Sequence, residues 1–282
     1  MDLGLQGKVV LVTGASGGIG SATARTLAAE GARLVLHAGT RLSALEAWAE
    51  EQGLAERSLC LAADIRDPEQ VEGMFEQAVA WGGRVDACVA NAGVWPPEDR
   101  PLGQLDPERA RHTIEVDLLG ALWTLRSFAR ALERTGPRTD GDGASIVLVG
   151  STAGRFGERG HADYAAAKAG LGGLMLSAKN ELPALDPWAR VNIVDPGWTV
   201  TDMTAKGLDQ PGVAQRVVRT HALRQLARPV DIARAVTTLL SPVLSRHVSG
   251  QRLVVAGGME GRVLWEEAQV DGAAVRARLG ED

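Results

Sequence analysis

The stretch Val9–Gly20 reads VVLVTGASGGIG and joins an apolar run directly to a loop rich in glycine. Val9–Thr13 predicts a buried strand, and Ile19–Glu30 predicts a helix that begins as the loop ends. Glycine lets the backbone turn tightly and approach a pyrophosphate, and a helix N-terminus offers free N–H donors to phosphate. The stretch therefore predicts a dinucleotide site. The residues of the loop expected to bind the cofactor are Gly14, Ser16, Gly18, Ile19 and Gly20.

The same loop disfavours one class of nucleotide-binding protein. It lacks the lysine of the Gly-x-x-x-x-Gly-Lys-Ser/Thr motif, which argues against an NTPase. A glycine pattern alone is weak in a chain that holds 34 glycines, and a structural turn is the alternative. The position of the loop between a strand and a helix favours the dinucleotide site.

Apolar, β-branched runs alternate with helical patterns along the chain. Runs such as Ile146–Val149 are apolar throughout, which is typical of parallel strands buried on both faces. We expect a Rossmann-type α/β fold, with a doubly wound, mostly parallel seven-stranded sheet and helices on both faces. The predicted strands are Val9–Thr13, Arg33–His37, Ser58–Ala62, Val85–Ala90, Ser145–Gly150, Arg190–Val194 and Arg252–Val255. The predicted helices are Ile19–Glu30, Leu42–Gln52, Pro68–Trp81, Asp106–Arg134, His161–Leu182 and Pro229–Leu240.

No repeat and no linker divides the chain, so residues 1–282 are predicted to form a single domain. Residues 199–226 follow a strand and contain Gly207, Pro211 and Gly212, which suits a lid over a site at the strand ends. Residues 261–282 form a charged tail beyond the last strand. The tail could pack on a neighbouring subunit or fray, and the sequence does not decide between these options.

Composition disfavours several broad classes of function. The formal net charge of −5 argues against a general nucleic-acid binder. No apolar stretch approaches the roughly 20 residues that span a bilayer, and the N-terminus lacks the build of a secretory signal. Cys60 and Cys88 form neither a C-x-x-C motif nor a Cys/His cluster, so we expect no disulfide scaffold and no metal site. We predict a cytoplasmic protein that binds neither nucleic acid nor membrane.

Three polar residues downstream have the spacing of a proton-delivery site. Tyr164 and Lys168 are four residues apart in a helical pattern, so their side chains share one helix face. An ammonium this close favours the phenolate, which predicts a lowered pKa for Tyr164 and a role as acid or base near neutral pH. Ser151 lies 13 positions upstream of Tyr164. A solvated lysine beside a half-buried tyrosine is the alternative for this spacing taken alone.

Taken in order, these motifs resemble the short-chain dehydrogenase/reductase family, and specifically its single-domain members such as the 3-oxoacyl-ACP reductases. The resemblance runs from Leu5 to Met259. Each motif is modest alone, whereas their order along the chain is highly specific. The motifs are the Thr13–Gly20 loop, Asp64, Asn91-Ala92-Gly93, Ser151, Tyr164-x-x-x-Lys168, and Pro196-Gly197 with Thr201.

The resemblance implies further cofactor contacts. Asp64 and the Ile65 backbone would contact the adenine. The segment Asn91-Ala92-Gly93 would support the central sheet and line the cofactor. The segment that follows the sixth strand would hold the nicotinamide carboxamide through Pro196, Gly197, Thr199 and Thr201.

The resemblance also implies catalytic roles. Tyr164 would exchange a proton with the substrate oxygen and also contact the cofactor. Ser151 would hydrogen-bond the same oxygen, and Lys168 would bind the nicotinamide ribose. Many relatives carry a catalytic asparagine in the long fourth helix, and the matching residue here is Asp117. We interpret Asp117 as a substitute for that asparagine. Its carboxylate can accept a hydrogen bond from a relay water, but it adds negative charge near Lys168.

The end of the second strand bears on the choice between NAD and NADP. Relatives that use NAD usually carry an acidic residue where this chain has Ala38. His37, Thr40 and Arg41 could accommodate a 2′-phosphate, although Arg41 could also be a solvated first-turn residue. Against NADP, Gly17 stands where many NADP-using relatives carry a basic residue. The balance favours NADP(H), with Arg41 as a cofactor-binding residue.

The substrate is expected to be a small carbonyl or alcohol. Its pocket should form between Trp95, the Gly154–His161 loop, Trp198 and the lid. Arg155 and Arg159 could meet an anionic group, although solvent exposure is the simpler expectation.

Two alternative functions remain open. One is an alcohol dehydrogenase that runs in the oxidative direction, and the other is a non-catalytic dinucleotide-sensing regulatory protein. Intact Ser151, Tyr164 and Lys168 weigh against the sensor, which needs the loop but not the acid. The family resemblance further implies a homodimer or homotetramer paired through the two longest helices.

Overall fold

The computed structural model describes residues 2–208, 210–261 and 263–279. Within these ranges seven strands form one sheet, and every neighbouring pair is parallel. The strands are β1 Val9–Val12, β2 Arg33–Ala38, β3 Ser58–Ala62, β4 Ala87–Ala90, β5 Ser145–Val149, β6 Arg190–Pro196 and β7 Arg252–Val255. Their order across the sheet is β3-β2-β1-β4-β5-β6-β7. The predicted doubly wound Rossmann-type fold is confirmed, and the sheet is parallel throughout rather than mostly parallel.

Helices cover both faces of this sheet. They are α1 Gly18–Ala29, α2 Leu42–Glu51, α3 Pro68–Gly82, α4 Pro107–Ile114, α5 Gly120–Thr135, α6 Ala153–Phe156, α7 Ala162–Glu181, α8 Asp202–Leu208, α9 Val213–Val218, α10 Pro229–Leu240 and α11 Gly272–Leu279. On one face, Phe128 of α5 and Leu171 of α7 are buried against the sheet. On the other face, Leu27 of α1 and Ile232 of α10 are buried against it. β1 and β5 are therefore buried along their whole length, which explains why their sequences are apolar without alternation.

None of the described helices combines the length and the apolar character needed to cross a membrane.

The long helix predicted over Asp106–Arg134 is interrupted. Residues Glu115–Leu119 form a π-helical turn between α4 and α5. A π turn adds one residue to a helical turn, and such turns are frequent at functional sites. The sequence predicted one continuous helix here and did not locate this turn. Asp117 lies in this turn and is buried.

The two irregular segments predicted near the C-terminus contain helices. The predicted lid, residues 199–226, holds α8 and α9, and the predicted tail, residues 261–282, holds α11. Positions 209, 262 and 280–282 of these segments lie outside the described residues. Val275 of α11 is buried in a cluster with Val218 of α9. The described part of the tail therefore packs on α9 of its own chain, which the sequence did not predict.

A buried histidine ties the glycine loop to the sheet. His37 in β2 accepts a hydrogen bond from the Gly14 amide through Nδ1, with N···N 3.2 Å. Its Nε2 donates to the Ala63 carbonyl at 2.9 Å, so the neutral Nε2–H tautomer satisfies both contacts. Burial lowers the pKa of His37, although the bond to Ala63 opposes this. This geometry contradicts the suggestion that His37 helps to hold a 2′-phosphate, because both ring nitrogens are already bonded.

We expect His37→Asn to lose less unfolding free energy than the wild type as the pH falls. The folded-state pKa of His37 is lowered below its unfolded value of about 6.5, so the unfolded chain takes up this proton first as the pH falls. The wild type should therefore lose stability below that pH, and the variant should lose less of it. Urea unfolding between about pH 7.5 and pH 5 measures the difference.

At the upper pH the variant should be less stable by roughly 1–3 kcal/mol, because removing the Nε2 donor leaves the Ala63 carbonyl without it. His112→Asn, at an exposed histidine, is the matched control and should keep the wild-type acid loss. If the wild type and His37→Asn lose the same unfolding free energy as the pH falls, the role given to His37 is contradicted.

Candidate active site

The carboxyl ends of the strands open into a cavity of about 900 Å³. The cavity lies next to the point where the strand order reverses between β1 and β4, which is where doubly wound sheets bind ligands. Its volume falls in the range of roughly 300–1,000 Å³ typical of cofactor and substrate sites. All residues predicted to bind the cofactor or to act in catalysis line it. They are Gly14, Ser16, Gly18, Ile19, Gly20, Arg41, Asp64, Ile65, Asn91, Ala92, Gly93, Asp117, Ser151, Tyr164, Lys168, Pro196, Gly197, Thr199 and Thr201.

The glycine loop forms a cradle that packs too closely against neighbouring segments to admit side chains at three of its glycines. A Cβ atom at Gly18 would lie 2.7 Å from Cγ2 of Thr201. At Gly14, where φ is +65°, a Cβ atom would lie 2.9 Å from Cα of Ala92. At Gly20 it would overlap the carbonyl oxygen of Gly14. Because α1 begins at Gly18, its free N-terminal amides lie at this loop, and the cradle fits the pyrophosphate of a dinucleotide.

Asn91 holds the cradle in place. Its side-chain amide donates to the carbonyl oxygens of Thr13 and Gly14 at 2.9 and 3.1 Å. The Thr13 hydroxyl accepts from the amides of Asn91 and Ala92 at 2.9 and 3.0 Å. These bonds join the segment after β4 to the segment after β1, so two of the predicted cofactor segments form one connected edge.

Arg66 engages the carboxylate of Asp64. Its Nε donates to Oδ1 at 2.9 Å and its Nη2 donates to Oδ2 at 2.6 Å. These hydrogen bonds lower the pKa of Asp64 to about 2, so the carboxylate is ionised. Both residues line the cavity. Sequence reasoning missed Arg66, which already occupies part of the hydrogen-bonding capacity that Asp64 is expected to offer to adenine.

Ser151, Tyr164 and Lys168 meet at the inner part of the cavity. Ser151 follows β5, and its amide donates to a carboxylate oxygen of Asp195 at 3.1 Å. Tyr164 and Lys168 project from α7. The Lys168 ammonium lies 5.7 Å from the Tyr164 ring centroid and donates to the Val149 carbonyl at 3.2 Å. The Asp195 carboxylate thus positions the serine, and the carbonyl at the end of β5 positions the lysine.

Asp117 forms a buried ion pair with Lys168. Oδ1 of Asp117 lies 3.1 Å from Nζ of Lys168, and the Val94 amide donates to the same oxygen at 3.2 Å. Asp117 is 1% exposed and Lys168 is 5% exposed. Oδ2 of Asp117 has no hydrogen-bond partner among the described residues. Gly93 passes so close that a Cβ atom there would lie 2.5 Å from Oδ1.

The ion pair sets the charge balance around Tyr164. Burial raises the pKa of Asp117, and the Lys168 ammonium opposes this shift. Burial alone would lower the pKa of Lys168, but its attraction to Asp117 and Tyr164 outweighs burial and raises the pKa.

The predicted lowering of the Tyr164 pKa is wrong. Burial raises the pKa of Tyr164, and the Asp117 carboxylate adds to the increase, whereas Lys168 and Ser151 favour the phenolate. One ammonium does not overcome desolvation when a carboxylate 3.1 Å away offsets its charge. The prediction failed because spacing along a helix shows neither the burial of the hydroxyl nor the approach of Asp117.

The segment after β6 forms another wall of the cavity. Thr199 Oγ1 donates to the Gly197 carbonyl at 3.0 Å. Thr204 Oγ1 donates to the Thr199 carbonyl at 2.6 Å and accepts from the Thr201 amide at 3.0 Å. At Gly197 a Cβ atom would lie 2.7 Å from Cβ of Ala256. Thr204, which sequence reasoning missed, therefore holds the turn that carries Thr199 and Thr201.

Aromatic side chains line the part of the cavity expected to take the substrate. Trp95 packs edge-on against Trp198 with ring centroids 6.0 Å apart, and both line the cavity. Trp95 also stacks on His161, with the ring centroids 4.8 Å apart. Glu158 accepts a hydrogen bond from Trp95 Nε1 at 3.2 Å.

Other parts of the expected pocket differ in exposure. Arg155 and Arg159 are exposed and do not line the described cavity, in agreement with the simpler expectation. His112, Met203 and Met259 line it and were missed, because no motif marks them and only the fold brings them together.

Comparison with known proteins agrees with this geometry. A family model described as enoyl-(acyl carrier protein) reductase matches residues 14–260. The chain is 35% identical over 255 residues to cis-4-hydroxycyclohexanecarboxylate dehydrogenase of Sinomonas cyclohexanicum, covering 89% of this chain and 96% of that protein. It is 35% identical over 257 residues to 3-oxoacyl-[acyl-carrier-protein] reductase FabG of Escherichia coli (strain K12), covering 91% and 99%.

A solved structure gives the same result. It is described as short-chain dehydrogenase/reductase SDR:glucose/ribitol dehydrogenase from Brucella melitensis, with a TM-score of 0.82 at 29% identity over 92% of this chain and 99% of that one. Because the family match covers most of the chain and the relatives align over nearly their full length, this protein belongs to the short-chain dehydrogenase/reductase family of oxidoreductases.

Proposed function

We propose that this enzyme transfers a hydride between a nicotinamide cofactor and a small carbonyl or secondary alcohol, with Tyr164 as the general acid or base. One observation carries the proposal. Ser151, Tyr164 and Lys168 line the same cavity as the glycine loop, so a dinucleotide bound along the loop can reach the proton donor. The 3-oxoacyl-ACP reductases are the relatives that the sequence resembles, and their reaction belongs to this class.

The cofactor would be held by the glycine loop, by Lys168 and by the segment after β6. The loop amides and the N-terminus of α1 would bind the pyrophosphate, and Lys168 would bind the nicotinamide ribose. The turn from Pro196 to Thr201 would hold the carboxamide. When bound, the nicotinamide supplies or accepts the hydride.

The protein residues would handle the proton. In reduction, Ser151 donates a hydrogen bond that orients the carbonyl oxygen, and Tyr164 gives its Oη proton to the same oxygen as the carbonyl carbon gains the hydride. The products are a secondary alcohol, the oxidised cofactor and the Tyr164 phenolate, which then regains a proton from solvent. Oxidation of an alcohol reverses each of these transfers.

The protonation of Tyr164 bears on its role in reduction. Because its pKa is raised from an already alkaline value, the hydroxyl carries the proton that reduction requires at neutral pH. An alcohol dehydrogenase working in the oxidative direction is the second candidate, and it would need alkaline pH to populate the phenolate. A dinucleotide sensor has less support, because it does not require the set of Ser151, Tyr164 and Lys168.

We propose NADP(H) as the preferred cofactor. β2 ends at Ala38, which is buried and offers no carboxylate to repel a 2′-phosphate. Thr40, Arg41 and Arg66 line this end of the cavity. The Arg66 guanidinium is bonded to Asp64, whereas Arg41 forms no ion pair within the described residues. Arg41 is therefore the cation available to a 2′-phosphate.

The remaining features of the proposal concern the whole chain. We propose that residues 1–282 act as one catalytic domain and that residues 199–226 act as its substrate lid. Leu208 and Val218 of the lid pack with Val275 of the tail, which gives the lid an apolar backing. We also propose a homodimer or homotetramer paired through α5 and α7, since Leu176 of α7 is 51% exposed. The cytoplasmic location stays a prediction.

We expect Tyr164→Phe to lower kcat for ketone reduction by about 10²–10⁴-fold, the usual contribution of a general acid. The affinity for NADPH should change far less than kcat, because the cradle and Lys168 are untouched. Oxidation of NADPH with a panel of small ketones measures the rate, and fluorescence titration measures cofactor binding. A variant that keeps the wild-type rate would contradict the assignment. Wild-type protein that binds NADPH but turns over no substrate would support the sensor.

Asp117→Asn should lower the pKa of Tyr164, because it removes the carboxylate that opposes the Lys168 ammonium. The chain contains a single tyrosine, so ultraviolet absorbance of the phenolate reports this residue alone. The pH profile of alcohol oxidation should move to lower pH by the same amount. Asp202→Asn removes an exposed carboxylate of the same cavity and should leave the titration unchanged. If Tyr164 in Asp117→Asn titrates at the same pH as in the wild type or at a higher pH, the electrostatic role of Asp117 is ruled out.

Arg41→Ala should raise the KM for NADPH by roughly tenfold, as expected for the loss of a charge-assisted hydrogen bond, and leave the KM for NADH unchanged. Steady-state kinetics with both cofactors measures the difference. Arg155→Ala, which removes an exposed arginine outside the cavity, is the matched control. A wild-type preference for NADH, or an equal effect of Arg41→Ala on both cofactors, would overturn the cofactor assignment.

A further inference from the structure

Glu158 is a half-buried carboxyl at the substrate end of the cavity that the proposed reaction does not use. It lies on the loop between α6 and α7 and lines the cavity. Its side chain is 24% exposed. Oε1 accepts the hydrogen bond from Trp95 Nε1 at 3.2 Å and lies 3.6 Å from Nδ1 of His161. Both of these contacts use Oε1.

The contacts of its neighbours fix the position of Glu158. Trp95 lies between two rings. It packs edge-on against Trp198 and stacks on His161. Nε2 of His161 lies 2.8 Å from the Pro96 carbonyl. His161 is 1% exposed and does not line the cavity, so within the described chain it is the Glu158 carboxyl that borders the space. A carboxyl held in this way presents a fixed acceptor beside an apolar aromatic wall.

The charges around the cavity are distributed unevenly. Among the described lining residues, Arg41 and Arg66 lie near the second and third strand ends, at the far side from Trp95. Lys168 is paired with Asp117. Arg155 and Arg159, which flank Glu158 along the chain, are exposed and outside the cavity. An anionic group of a substrate placed against the tryptophans would therefore face the Glu158 carboxylate and no unpaired arginine or lysine of the described lining.

We propose that Glu158 is a specificity-determining residue that selects uncharged, largely apolar alcohols and ketones with a hydrogen-bond donor and rejects substrates carrying a carboxylate. The inference rests on the proposed function, since it takes this end of the cavity as the substrate site. Selection arises in two ways. A hydroxyl or amide donor of the substrate satisfies the carboxyl, whereas a second carboxylate in the same place adds like-charge repulsion and leaves both groups partly desolvated.

The test compares two ligands of nearly equal shape, cyclohexanecarboxamide and cyclohexanecarboxylate. Calorimetric titration of each into the NADPH-bound enzyme near pH 8, in which the nicotinamide ring is uncharged, measures binding without requiring turnover. The wild type should bind the amide at least about tenfold more tightly than the carboxylate, because only the amide avoids repulsion. Glu158→Gln keeps an oxygen to accept from Trp95 but removes the charge, so the two affinities should approach each other within about threefold.

Asp99→Asn is the matched control. Asp99 is also a carboxylate near His161, at 3.7 Å from Nδ1, but its side chain is 80% exposed and outside the cavity. It should keep the wild-type discrimination. Equal binding of the two ligands by the wild type, an unchanged ratio in Glu158→Gln, or no binding of either ligand would overturn the proposal. These outcomes are separate from failure of the hydride-transfer reaction, which Tyr164→Phe and the ketone panel report.

Discussion

Parallel pairing of all seven strands places every strand's carboxyl end at one edge of the sheet, and the site depends on this constraint. The glycine loop follows β1, the Asn91 segment follows β4, Ser151 follows β5 and Pro196 ends β6. Residues separated by more than 180 positions in the chain thus line one cavity. The bonds of Asn91 and His37 to the glycine loop then turn neighbouring loops into a connected frame.

Within that frame, the buried pair of Asp117 and Lys168 sets the charge balance around Tyr164. Burial taken alone lowers the pKa of Lys168, whereas the Asp117 carboxylate raises it. The same carboxylate offsets the positive charge that would otherwise favour the Tyr164 phenolate. The π turn that carries Asp117 is therefore linked to the protonation state of Tyr164 through one ion pair of 3.1 Å.

The motifs of the site were predictable from the sequence because each is short and follows a strand. The alternation of strands and helices supplied the fold, and the ends of the strands supplied the edge where Gly14, Asn91 and Ser151 meet. What the sequence could not show depends on distances between segments far apart in the chain. The burial that raises the Tyr164 pKa and the contact of Glu158 with Trp95 belong to this group. His37 was read as a phosphate contact for the same reason, since its bonds to Gly14 and Ala63 exist only in the fold.

The central claim is that the nicotinamide binds next to Tyr164 in this cavity. The single tyrosine of the chain allows a direct test, because its ultraviolet titration can be compared in the free enzyme, with NADP⁺ and with NADPH. The oxidised nicotinamide ring is cationic, and a positive charge within about 4–6 Å favours the phenolate. The account predicts that NADP⁺ lowers the pKa of Tyr164 relative to NADPH. Identical titrations with the two cofactors, both bound at saturation, would contradict it.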